Sequence, residues 1–132
     1  MKRALQAILI APDPAVRLNI MLGKKKITIR EGHRDYTTGP VMICCHLVPW
    51  AIMATITNVR LTTVTEVTDE ELWADGYDNH KGMLRDLKKY YPNITMESPV
   101  TVISWDNLEG YFTDIDNVFA YAEENNLDMS YE

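Results

Sequence analysis

Cysteine is nearly absent from this chain of 132 residues: two occur, side by side, as Cys44 and Cys45. Neighbouring residues of a strand point to opposite faces, so a disulfide between them is not expected, and buried or half-buried free thiols are. His46 follows, but Cys-Cys-His lacks the two-residue spacing with which a short loop wraps zinc, so no metal site is expected. No apolar run reaches the roughly 18–20 residues of a membrane span, so no membrane partner is expected. The first ten residues start basic and turn apolar, as a signal peptide does. Gln6 interrupts that run, however, and Asp13-Pro14 follows without a small-x-small cleavage site. A first strand and a cytoplasmic location are the expectation. There is no G-x-G-x-x-G and no phosphate loop, which argues against ATP- or NAD-dependent chemistry; no cofactor is expected.

Positive charge is missing from the end of the chain. Residues 93–132 hold nine acids and no lysine or arginine, whereas residues 1–34 hold eight basic residues and two acids. The formal net charge is −6. Broad duplex binding rests on phosphate neutralisation and does not suit such a chain. A focused basic groove for one nucleotide or a short single strand does suit it.

The length predicts one domain, large enough to bury a core without disulfides or metals. Residues 3–10 read as a strand. Asp13 reads as an N-cap and Pro14 as the first residue of a helix over 14–22, with Val16, Ile20 and Leu22 inward and Gly23 as its stop. Residues 26–30 read as a strand, 31–39 as a polar loop, and 41–48 as a strand apolar on both faces. Residues 50–65 predict two strands, or one long bent strand, around Asn58. Thr68-Asp69-Glu70-Glu71 is a capping box that opens a short helix ending at Gly76. Asn79 caps a helix over 80–91, with Met83, Leu84, Leu87 and Tyr91 inward and Arg85, Lys88 and Lys89 outward in solvent. The last strand is 99–105, an acidic helix spans 114–125, and the last seven residues are expected to fray.

The densest chemistry lies in Gly23-Lys24-Lys25-Lys26-Ile27-Thr28-Ile29-Arg30, which holds four of the 13 basic residues. Two readings of the lysines stand. They complement the C-terminus of the preceding helix, or they line a pocket. Strand alternation puts Thr28 and Arg30 on one face. Lys25 is three before Thr28 and points away from it in a regular strand; it joins the pair only from an irregular connection after Gly23. Elsewhere His33 and His46 read as ordinary loop and strand histidines, and His80 as exposed. Ser98 and Ser104 lack Asp-His partners. Trp50 and Trp73 read as core, and Tyr77 as core or as a ring that stacks a base.

The element G-x-K-x-x-T-x-R after a helix resembles the ASCH domain family, whose fold is PUA-like. A Gly-Pro turn into an apolar strand (residues 39–48) agrees, as do the short capped helix ending Leu72-Trp73-Ala74-Asp75-Gly76-Tyr77 and a closing strand over 100–105. The resemblance covers roughly residues 5–107. It implies an α+β fold: a small mixed β-barrel of about six strands with short peripheral helices. The domain is expected over 1–107, with an acidic helical extension, 108–132, packed on it. The resemblance further implies binding of RNA or a modified nucleoside in a cleft beside the motif, with Gly23, Lys24, Lys26, Arg30 and Tyr77 as ligand-binding residues. Some small bacterial members are amidohydrolases acting on N4-acetylcytidine, working with a Lys, a Thr and a Glu. The first two fall on Lys25, as base, and Thr28, as nucleophile. No Glu stands nearer than Glu71 at the third position, and a shift of one or two residues offers Asp75 instead. Three functional classes follow: a binding module, an amidohydrolase on an acylated nucleobase, and an interaction protein whose acidic end docks on a basic partner.

Overall fold

Proline and glycine set many of the element ends. The structure, a computed structural model, describes residues 3–11, 13–45, 48–113 and 115–128. In order they form β1 (Arg3–Ala4), β2 (Gln6–Leu9), α1 (Pro14–Met21), β3 (Ile27–Glu31), β4 (Gly39–Cys45), β5 (Trp50–Thr63), α2 (Asp69–Ala74), α3 (His80–Leu87), β6 (Pro99–Phe112), α4 (Ile115–Glu124) and β7 (Leu127–Asp128). The class is α+β, as expected. Five strands make one mixed sheet in the order β2-β4-β5-β6-β3, and β1 pairs with β7 in a separate parallel ribbon.

The differences from the sequence reading have local causes. The segment after Pro49 is one long strand, its Ile, Thr and Val residues suiting an extended backbone. β6 continues seven residues beyond Trp105. Asn107 and Gly110 take positive φ values of 56° and 68° within it. Such residues let a strand bend without ending. α3 stops at Leu87, and residues 88–90 continue as turns, with Tyr90 N donating to Leu87 O at 3.0 Å. Leu127 and Asp128, expected to fray, pair with Arg3 and Ala4, because Leu127 is a core residue, 6% exposed. Trp50 is buried as expected, but Trp73 is 61% exposed, on the outer face of α2.

The chain divides into two compact units. The first comprises residues 1–24, 38–56 and 106–132. Here β2 lies parallel to β4, with Ile8 opposite Ile43, and β4 lies antiparallel to β5. Its core joins Leu5, Met42, Met53, Val118, Ala122 and Leu127, with Phe112 and Tyr121 packed edge to face beside it, 5.5 Å between ring centroids. On α1 only Ile20 is fully buried; Val16 is half-buried and Leu22 is exposed. Cys44 and Cys45 are free thiols, the first half-buried, the second buried. Desolvation pushes the Cys44 thiol above its ordinary pKa. His46 lies outside the described residues.

The second unit comprises residues 25–37 and 57–105. β3 pairs antiparallel with β6, placing Thr28 opposite Ile103 and Arg30 opposite Thr101. Ile27, Ile29, Val100 and Val102 project to one face of this ribbon and pack with Val64, Val67, Leu72, Met83, Leu87 and Ile94. α2 and α3 thus cover the Ile27–Ile29 face, and alternation sends Thr28 and Arg30 to the other. Thr101, fully buried, donates its hydroxyl to Gly32 O at 2.7 Å and accepts from Arg34 N at 2.9 Å. It pins the loop that follows Arg30. Among the described residues no helix is long and apolar enough to cross a membrane.

Candidate functional site

Two helix ends of the same design deliver the candidate residues. At the end of α1, Gly23 takes φ 74°; Gly23 N donates to Ile20 O and Lys24 N to Asn19 O. At the end of α2, Gly76 takes φ 89°; Gly76 N donates to Trp73 O and Tyr77 N to Leu72 O. These paired bonds are the Schellman motif, which needs a left-handed residue after the cap and therefore favours glycine. The first motif releases Lys25 ahead of β3, outside the alternation of the strand. The second leaves Asp75 at the C-cap of α2 and turns Tyr77 back onto Leu72 and its apolar cluster.

Within the second unit Lys25 meets Asp75. Lys25 Nζ donates to Asp75 Oδ1, and also to Ile27 O at 2.9 Å. The two side chains are 20% and 7% exposed. Burial raises the Asp75 carboxyl above the ordinary carboxylate range, although the Lys25 and Arg30 charges act to lower it. Arg30 therefore lies close enough for its charge to reach Asp75.

Glu71 has other work. It closes the capping box of α2, accepting from Thr68 N at 2.8 Å while Thr68 Oγ1 accepts from Glu71 N at 3.2 Å. It also takes both arms of Arg60, Nε at 2.9 Å and a terminal nitrogen at 2.5 Å. Burial alone would raise the Glu71 carboxyl; the Arg60 hydrogen bonds and the Thr68 amide reverse this and hold it below the ordinary range. A carboxylate so committed is structural, and Asp75 is the one that faces the lysine.

Thr28 is 7% exposed and Arg30 half-buried, and the two share a face. Among the described residues neither the Thr28 hydroxyl nor the Arg30 guanidinium makes a hydrogen bond or ion pair. Thr28 Oγ1 is accordingly not bonded to Lys25. Lys24 and Lys26 are exposed. Tyr77 is half-buried; its ring packs on the α2–α3 cluster and its hydroxyl donates to Asp86 Oδ2 at 2.5 Å. Burial first, then that bond, raise the Tyr77 hydroxyl well above the ordinary tyrosine range. Asp86 has no signal in the sequence, because it is nine residues from Tyr77 and on another helix.

The other candidates are accounted for locally. His33 Nε2 donates to Thr62 O at 3.1 Å from an exposed position. His80, expected to be exposed, is half-buried with Nε2 donating to Val67 O at 2.7 Å, since the entry to α3 folds under the start of α2. Ser98 Oγ accepts from Thr95 N in a tight turn.

Comparison with known proteins bears on the fold. No family profile matches the sequence, and no curated protein matches it. Among solved structures the chain is similar to an ASCH domain from Lactobacillus crispatus, with a TM-score of 0.55 and 10% sequence identity. The likeness covers 78% of this chain and 79% of that one. The fold is therefore that of an ASCH domain, as the order of motifs in the sequence led one to expect.

Proposed function

We propose that this protein binds RNA or a modified nucleoside against the Thr28–Arg30 face of β3. The observation that carries the reading is the Arg30 guanidinium, half-buried and without a hydrogen bond or ion pair among the described residues. A cation held partly out of water without a partner is costly, and an anionic or carbonyl oxygen supplied by a ligand offsets that cost. The planar fork of arginine suits a phosphate or a pyrimidine carbonyl. Beside it the Thr28 hydroxyl offers one donor and two acceptor positions for a base edge or a ribose. Lys25, held by Asp75, immediately precedes this strand, and Lys26 stands exposed at its start. Titration calorimetry with nucleosides, nucleotides and short RNA tests the reading. Arg30→Ala is expected to weaken binding about tenfold or more, the usual worth of a charge-assisted hydrogen bond. Absence of any affinity at millimolar ligand, or an Arg30→Ala variant that binds as the wild type does, would overturn it.

The contact between Lys25 and Asp75 favours a second reading, amide hydrolysis on an acylated nucleobase such as N4-acetylcytidine. Thr28 Oγ1 would attack the acyl carbon and release the amine of the base, and water would then free the acetate. Thr28 needs a base for its proton. Asp75, which accepts the Lys25 hydrogen bond, would orient the lysine or relay its proton. Lys25 would have to leave Ile27 O and turn towards Thr28 Oγ1. Incubation with N4-acetylcytidine, followed by chromatography of cytidine, decides this reading: turnover is expected in the wild type and not in Thr28→Ala. Equal turnover in both proteins, or none in either, would remove it.

A further inference from the structure

The outer face of α3 is cationic and unpaired. Lys81, Arg85 and Lys88 stand at i, i+4 and i+7, one stripe of the helix, opposite the buried Met83 and Leu87. All three are exposed, and among the described residues none makes a hydrogen bond or ion pair. The single acid on the helix, Asp86, is occupied by the Tyr77 hydroxyl and by Lys89 at 3.2 Å. A side chain at Gly82, beside this face, would meet only Asn79 Oδ1 at 3.5 Å. Two residues beyond Lys88 stands Tyr90, 60% exposed. Its ring is braced edge-on against Tyr91, 6.5 Å between centroids, and Tyr91 packs on the core cluster.

We infer that the α3 stripe with Tyr90 is a second contact surface for single-stranded RNA, so that the ligand of this protein is an oligonucleotide and not a free nucleoside. This inference rests on the reading of the Arg30 face given above and extends it. Three unpaired cations in a row match successive phosphates, and a braced, exposed tyrosine offers a ring on which an unpaired base stacks. A duplex hides its base faces and has no use for that ring. The two surfaces belong to the same unit. Tyr90 lies near enough to Tyr77 to act on its ionisation, as Asp75 does, and Arg30 reaches Asp75.

The test is a length series read by fluorescence anisotropy: a nucleoside monophosphate by competition, then labelled oligoribonucleotides up to about eight nucleotides, within the usual footprint of such surfaces. The proteins are the wild type, Lys81→Gln/Arg85→Gln/Lys88→Gln, Tyr90→Ala and Arg30→Ala, each checked for fold by circular dichroism. The wild type should bind the octamer at least tenfold more tightly than the monophosphate. The triple variant should lose that gain and reduce the slope of log K against log salt by about 2, roughly 0.7 per lost phosphate contact, while binding the monophosphate unchanged. Tyr90→Ala should weaken the octamer severalfold without changing the salt slope. Octamer binding as tight in the triple variant as in the wild type would overturn the inference, as would equal affinity for a duplex or for anionic vesicles, or no RNA binding at all. If instead Arg30→Ala changes nothing while the triple variant loses the octamer, the α3 surface stands and the Arg30 reading falls.

Discussion

At the scale of single residues, two carboxylates four residues apart behave oppositely. Glu71, held by Arg60 and Thr68, has a lowered pKa; Asp75, desolvated at the end of the same helix, has a raised one. For Glu71 the unfolded chain binds protons more readily than the folded one, so its stabilisation is present above the ordinary value of about 4.3 and is lost as pH falls towards its folded value. For Asp75 the folded chain binds the proton more readily. Its effect is therefore a loss of stability as pH rises from the ordinary value of about 3.9 through the raised one. Urea unfolding between pH 3 and 7 checks both signs. Glu71→Gln should flatten the acid side of the stability profile, and Asp75→Asn should remove a decline on going from acid towards neutral pH. Thr101 supplies a further prediction. Thr101→Val keeps the shape but leaves Gly32 O and Arg34 N without the hydroxyl. A cost of about 1–3 kcal/mol in urea unfolding is expected. Neither Asp86 nor Thr101 could be singled out in the sequence, since the first owes its role to a partner on another segment and the second to burial beneath a loop.

Secondary-structure elements were the most legible level. Asp13 before Pro14, the box from Thr68 to Glu71, and Asn79 before His80 all act as caps, each side chain accepting from a backbone amide of its own first turn. Those signals are local, and local geometry satisfies them. Gly76 gives the sharpest test. At φ 89° a side chain is strained, yet an added Cβ meets nothing within 4 Å. Gly76→Ala should therefore cost about 1–2 kcal/mol from backbone conformation alone, without a packing penalty. Leu72→Ala, in the same helix but fully buried, should cost about 2–5 kcal/mol. The two measured together separate conformational from packing contributions to α2. Element ends were read less well where no punctuation marks them. β6 runs through Asn107 and Gly110, residues that usually end a strand, and α3 stops before Lys88 although Pro92 lies further on.

For the whole molecule the dominant quantity is the distribution of charge. The unit containing α1 and α4 holds four basic residues and nine acids; the unit containing β3, α2 and α3 holds nine basic residues and ten acids. The acidic excess is thus concentrated away from the sequences of the candidate site. Binding by the intact protein is expected to favour a single strand over a duplex of the same length by about tenfold or more at physiological salt, because few cations are available to neutralise a duplex. Competition between labelled single-stranded and unlabelled duplex RNA measures that ratio.

The sequence by itself determined the class of fold, the helix caps, the glycine stops, the apolar faces of β3 and α3, and the single face shared by Thr28 and Arg30. These depend on spacing within one element, where the period of the backbone leaves few choices. Only the tertiary structure decided which carboxylate meets Lys25, and that Glu71 belongs to Arg60 while Asp75 is free to face the lysine. It also decided that Trp73 is exposed and that Leu127 is core. Such outcomes depend on which segments pack together. Many pairings of charges and rings are compatible with one sequence pattern, and burial selects among them.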